Sequence, residues 1–182
     1  MRSLLLGAVM LLSSMGWAQI AHSGSPIAHG PKWGSVNYVS IPPPDLNQLA
    51  TEDAVNDLNK AQPWRFGINN TVDHGPYNSG TITQVAGGSV WRLGISAQGA
   101  TSINLLFSEY DLPVGARVFL YTPDQKIVRG AFTHGNNKAH GELAIDIVEG
   151  DSLIVEYFYP GPATGIQGLR VGRITYGYMR TR

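Results

Sequence analysis

Between Val90 and Pro160 apolar residues recur at every second position in short runs, and each run closes on Gly, Pro, Asn or Asp. That period puts successive side chains on opposite faces of an extended chain, so the pattern predicts half-buried β-strands joined by turns. Trp91, Leu93 and Ile95 share one side while Arg92 and Gly94 share the other, and Ile103, Leu105 and Phe107 oppose Ser102 and Asn104. Eight strands are expected, over 80–85, 89–96, 101–107, 116–122, 126–132, 141–148, 152–159 and 167–178. Turn signals at intervals of roughly ten residues predict an all-β, antiparallel β-sandwich, jelly-roll-like, although a closed barrel would give a similar string. In the last strand the apolar phase passes from Leu169 and Val171 to Ile174 and Tyr176, which predicts a bulge near Gly172.

Upstream of this region the periodicity changes. Asp45 followed three residues later by Gln48 has a capping-box pattern, and Leu46, Leu49, Ala50, Ala54, Val55 and Leu58 fall near helical spacing. One or two short helical turns are expected between Leu46 and Lys60, with one apolar face laid on the sheet. Residues 62–67 read as extended chain and 69–80, dense in Asn, Asp, Gly and Pro, as a loop. Residues 19–44 are rich in Ser, Gly, His and Pro and end in Pro42-Pro43-Pro44, which cannot enter a helix because proline lacks an N–H and fixes φ. This segment reads as an extended arm. At the start, Arg2, the apolar run from Leu4 to Leu12 and the small residues of Gly16-Trp17-Ala18 have the form of a secretory leader cut before Gln19. The apolar run is shorter than the roughly 20 residues that cross a bilayer. The expected organisation is therefore a signal peptide over 1–18, an arm over 19–44 and a β-sandwich domain over 45–182.

Composition narrows the partners. The 182 residues carry 13 basic and 13 acidic side chains, and loss of a leader containing Arg2 leaves 12 basic ones. Such a balance gives no field that would hold nucleic acid or an anionic membrane. The chain has no cysteine, so neither lipid attachment through one nor a disulfide is possible. Secretion to the extracellular space or periplasm is expected, with no membrane attachment after leader cleavage.

Candidate chemistry is sparse. Gly150-Asp151-Ser152-Leu153 matches the opening of an esterase nucleophile motif, but it lies late in the chain, runs straight into a strand, and has no histidine after His140 to act as base. A turn with local backbone bonds is the plainer reading. His22, His29, His74, His134 and His140 are scattered without metal-ligand spacing, and Asp146, Glu149 and Asp151 could meet at one turn but read more simply as a polar strand end. No catalytic residue, metal or cofactor is expected. Among the aromatics, Trp91 is in phase with the core, whereas Trp33, Trp64, Tyr38, Tyr77 and Tyr110 fall in loops or the arm. Trp33, Trp64, Tyr77 and Tyr110 are the candidate binding residues: they could stack a carbohydrate, or Trp33 and Trp64 could pack the arm onto the sheet.

Several blocks resemble one family in succession. Val90-Trp91-Arg92-Leu93 with Ile95 and Gly99-Ala100, Ser102 to Phe107, Leu112 to Ala116 with Phe119-Leu120-Tyr121, Gly130 to Thr133 with Asn136, the Gly150-Asp151 turn, Glu156-Tyr157 with Pro160, and Tyr176-Gly177-Tyr178 are similar to the N-terminal pro-region of bacterial secreted lysyl endopeptidases. The resemblance spans about residues 44 to 178. It implies a β-sandwich that in the family precedes a chymotrypsin-like protease domain. The cysteines and the Gly-Asp-Ser-Gly-Gly motif of that domain are absent here, so no catalytic residue carries over. The expected function is that of a non-enzymatic module, either stand-alone or the front piece of a split protease gene, whose partner is a secreted serine protease domain. Such a module would assist folding or cover an active site through a strand edge or the arm. The arm and loop 69–80 are expected to lie near one another as the contact surface. A secreted carbohydrate-binding sandwich is the alternative.

Overall fold

In the computed structural model of the protein, the described residues are 21, 24–28, 33–61 and 63–179. The expected leader falls outside them, as do His22 and His29. Among them are eleven strands and one α-helix: β1 (Tyr38–Ser40), α1 (Leu46–Asn56), β2 (Gly67–His74), β3 (Thr81–Val85), β4 (Gly88–Ser96), β5 (Ser102–Tyr110), β6 (Arg117–Tyr121), β7 (Val128–Phe132), β8 (Leu143–Ala144), β9 (Val148–Glu149), β10 (Ser152–Tyr159) and β11 (Leu169–Gly177).

The strands form two sheets in a mostly β, sandwich-like fold. The first runs β1-β4-β10-β6-β7, with β3 also paired to β4; the second runs β2-β11-β5-β8, with β9 also paired to β5. On β4, β3 pairs with residues 88–92 and β1 with residues 94–96, so the two short strands share one edge of it. All pairings are antiparallel except that of β1 with β4. The alternation read along the chain decides the interior. Trp91, Leu93 and Ile95 from β4, Ile103, Leu105 and Phe107 from β5, and Val155 and Tyr157 from β10 are buried in one apolar core. Burying each such side chain contributes about 1.5–3 kcal/mol before entropy is counted. Large aromatics in this core send their polar tips outward to loop carbonyls. Trp91 Nε1 donates to Ser79 O at 2.7 Å, Tyr157 OH to Gln167 O at 2.7 Å and Tyr176 OH to Gln98 O at 2.9 Å.

Three expectations need correction. Residues 69–74 are not loop but most of β2, an outer strand of the second sheet; its Asn and Asp side chains suit a strand whose outward face is solvated. The strand expected over 141–148 is broken into β8 and β9, because Asn104 reaches in to bond Ile145 O and the chain bows out between the two short pairings. The arm is extended chain that pairs with β4 as β1. The helix buries no apolar face: only Leu49 and Asp53 are buried, while Leu46, Val55 and Leu58 are exposed. Asp45 does cap it, accepting from the Asn47 and Gln48 amides at 3.0 Å, but Gln48 turns forward to Glu52 and leaves no reciprocal box. What fastens α1 is polar. Buried Asp53 accepts from Arg65 Nε at 2.9 Å and from the Tyr178 hydroxyl at 2.7 Å.

The expected bulge is present, with a counterpart. Pairing shifts between Val171 and Arg173 on β11, and β5 shifts at the same level, leaving Gly172 and Ser108 both out of register. A Cβ on Gly172 would stand 2.5 Å from Ser108 Cβ, so only glycine fits there. The double shift reverses the phase of β5 beyond Phe107 and turns Tyr110 inward, 1% exposed.

Two outcomes follow for stability. Leu105→Ala, at a fully buried site, should cost about 2–5 kcal/mol and lower the urea midpoint, whereas Val55→Ala on the solvent face of α1 should stay within about 0.5 kcal/mol. Burial, then the bond to Asp53, pushes the Tyr178 hydroxyl up to about 12 from 10.0. Its contribution is therefore whole below pH 10 and is lost as the pH climbs from about 10 to about 12. Tyrosinate absorbance, differenced against Tyr178→Phe, should show one group titrating at the upper end of that window.

Candidate functional site: a peptide-covered sheet face

Both faces of the first sheet are buried along its two central strands, β4 and β10. β4 is buried from Gly88 to Ile95 and β10 from Leu153 to Tyr157, without the alternation of a strand wet on one side. On the outer face Phe119, Tyr121, Ala131 and Ile154 form a second apolar cluster with Val36 of the arm packed on it. The arm crosses this face transversely. Gly24 lies against the Phe119 ring of β6, Ile27 and Ala28 sit at Glu156 of β10, Trp33 at Arg92 of β4, and the chain then turns to run alongside β4 as β1.

Glu156 is the anchor. It is 0% exposed, a costly position for a carboxylate unless its oxygens are matched by donors. Two donors are successive backbone amides of the arm, Ile27 N–H to Oε1 at 2.5 Å and Ala28 N–H to Oε2 at 3.1 Å, and a third is the Tyr121 hydroxyl to Oε2 at 3.0 Å. Burial and the adjacent Glu156 charge push the Tyr121 hydroxyl pKa well up, so it stays a proton donor. Arg92 is the Cα partner of Glu156 across β4 and β10 and is only 5% exposed. Its guanidinium lies 5.4 Å from the centre of the Trp33 ring and donates to the Trp33 carbonyl, while its Nε has no hydrogen-bond partner among the described residues. Beside it the Tyr38 ring lies flat over Gly94, where a Cβ would stand 2.6 Å from the ring; glycine is needed for this close approach. Gln125 Nε2 completes the clasp on Ala28 O at 3.3 Å.

The candidate binding aromatics are dispersed. Trp33 is held on Arg92. Tyr110, expected in a loop, ends β5 inside the core and donates to Thr133 O at 3.1 Å, so it offers no surface for stacking. Trp64 and Tyr77 are 50% and 54% exposed but flank opposite ends of β2, which at about 3.3 Å per residue puts them roughly 25 Å apart along the strand. Tyr77 lies 5.2 Å from the Arg170 guanidinium and its hydroxyl meets Glu109. These four residues share no platform on which one sugar chain could stack. Among the described residues, loop 75–80 and the arm both reach Arg92, Gly80 against its backbone and Trp33 on its side chain.

Ser152 bonds Asp151 Oδ1 at 3.1 Å, and its groove is lined by Thr122, Asp124, Lys126, Glu149 and Asp151, with no imidazole among the described lining residues. Asp146 caps its own following amide at 2.8 Å. Among the described residues no three His, Asp or Glu side chains come together as a metal site, and no helix is long and apolar enough to cross a membrane. No family model matches the chain.

Glu156, Arg92 and Tyr121 are the residues that sequence reasoning passed over. Arg92 was expected on the solvent side. The signal was a charged residue inside the unbroken apolar run Leu153-Ile154-Val155-Glu156-Tyr157-Phe158, since a strand that does not alternate is covered on both faces. Glu156→Gln, which weakens a charge-assisted clasp, should speed amide exchange at Ile27 and Ala28 by about tenfold or more while β5 amides keep their protection. Mass-resolved hydrogen exchange reads both at once.

Proposed function

We propose that the chain is a secreted, non-catalytic accessory module of the lysyl endopeptidase pro-region type, which binds a protein partner, foremost a secreted serine protease domain, and assists its folding or covers its site. The observation that carries this reading is β2. It ends the second sheet, and among the described residues no strand pairs with its outer side over its eight residues. An open edge of that length can take an extended segment of another protein through backbone hydrogen bonds. Exposed Trp64 and Tyr77 beyond its two ends supply aromatic anchors of the kind that dominate protein contacts. The passage of the chain between sheets, β4 to β5 to β6 and β7 to β8, suits the jelly-roll-like winding of the same proposal. Secretion follows from the leader pattern in the sequence, and the surroundings of Ser152 favour a structural turn over a nucleophile.

The test is to refold a lysyl endopeptidase-type protease domain, stripped of its own pro-region, with and without this chain. Recovery of active protease should rise several-fold, or activity should fall on stoichiometric addition, and β2 amides should slow in the mixture. A protease whose folding and activity are both indifferent to the chain would sink the reading.

A further inference from the structure

The outer face of the first sheet makes four separate demands on whatever covers it. It favours a residue without a side chain over the Phe119 ring, where a Cβ on Gly24 would crowd the ring tip at 3.3 Å. It needs two successive backbone amides for the carboxylate of Glu156. It needs an indole for the guanidinium of Arg92, and a short strand that adds in parallel to residues 94–96 with an aromatic ring flat on Gly94. Together these describe a receptor for one extended peptide.

None of these contacts depends on how the arm is tethered. The Glu156 bonds join residues 129 and 128 positions apart, and the Arg92 bond residues 59 apart. The tether itself is stiff. After Ile41 N–H donates to Ser96 O at 2.8 Å, Pro42-Pro43-Pro44 has no amide hydrogen to bond the body, and Pro42 and Pro43 are exposed. Consecutive prolines hold an extended chain and act as a spacer that does not fold back on itself.

We propose that this face is a peptide-receptor site that takes the arm of a second copy of the chain, giving a reciprocally exchanged dimer pivoted at Pro42–Pro44. A second copy meets all four demands by identity. Exchange keeps every arm contact, so hinge conformation and protein concentration decide the balance between the two forms. An unoccupied face is disfavoured because Glu156 would lose two of its donors next to an apolar cluster.

The absence of cysteine makes the test direct. Ser40 and Ser96 are facing Cα partners of β1 and β4, at an exposed and a half-buried position, and facing strand partners are close enough for a disulfide. Chains carrying Ser40→Cys alone and Ser96→Cys alone are co-refolded at high concentration under reductant and then oxidised. Exchange should give a covalent dimer of unlike chains in about tenfold excess over like pairs. A chain carrying both substitutions should form a cross-linked dimer when refolded concentrated and a cross-linked monomer when refolded dilute. Covalent pairing only in the proportions of random collision, or a doubly substituted chain that closes on itself at every concentration, would overturn the proposal.

Discussion

A carboxylate at the centre of a sheet face is tolerable only while something supplies hydrogen bonds to it, and in this fold that something is the backbone of a segment far away in the chain. Glu156 ties β10 to Ile27 and Ala28 and, through Tyr121, to β6. Desolvating a lone carboxylate costs several kcal/mol, which three donors offset. The arm therefore completes the first sheet as much as it decorates it. With Arg92 on the neighbouring strand holding Trp33, opposite charges on facing residues take up the two halves of one crossing segment.

This constraint divides the molecule into unlike halves. The first sheet is enclosed along β4 and β10, core on one side and arm on the other. The second is enclosed on one side only: β2 alternates between half-buried and exposed positions, and β5 up to Phe107 between buried and half-buried ones, as a half-wet sheet does. Specific burial and polar clasping lie on the one, open backbone on the other. The two sheets accordingly offer chemically different surfaces, side-chain contacts to a crossing segment on one and an unpaired backbone edge on the other.

Much of the core was legible because period two is a strong signal wherever strands alternate. β4, β6, β7 and β10 lie within a residue or two of their expected bounds. The failures have distinct causes. Phe107 looked like a strand end because Ser108 interrupts the alternation, yet the strand runs on to Tyr110 in the opposite phase. β2 was hidden by Asn69, Asn70 and Asp73, residues that favour turns unless a paired neighbour and a solvated face accommodate them. In α1, helical spacing of apolar residues existed without burial, since packing there falls to an ion pair and a tyrosine hydroxyl that no periodicity encodes. The arm's share of the clasp at Glu156 was hidden for a related reason: two of the three donors are main-chain amides, which leave no mark in side-chain type.

The matched irregularity at Ser108 and Gly172 also shapes how one end of the molecule is sealed. Bulges sharpen the local right-handed twist and bend the strand. Beyond them β5 carries Tyr110 across toward the first sheet, where its hydroxyl meets the carbonyl of Thr133 just after β7. The curl of the sheet itself thus swings an aromatic ring into that mouth of the sandwich, where the chain meets the loops that follow β7 and precede β11.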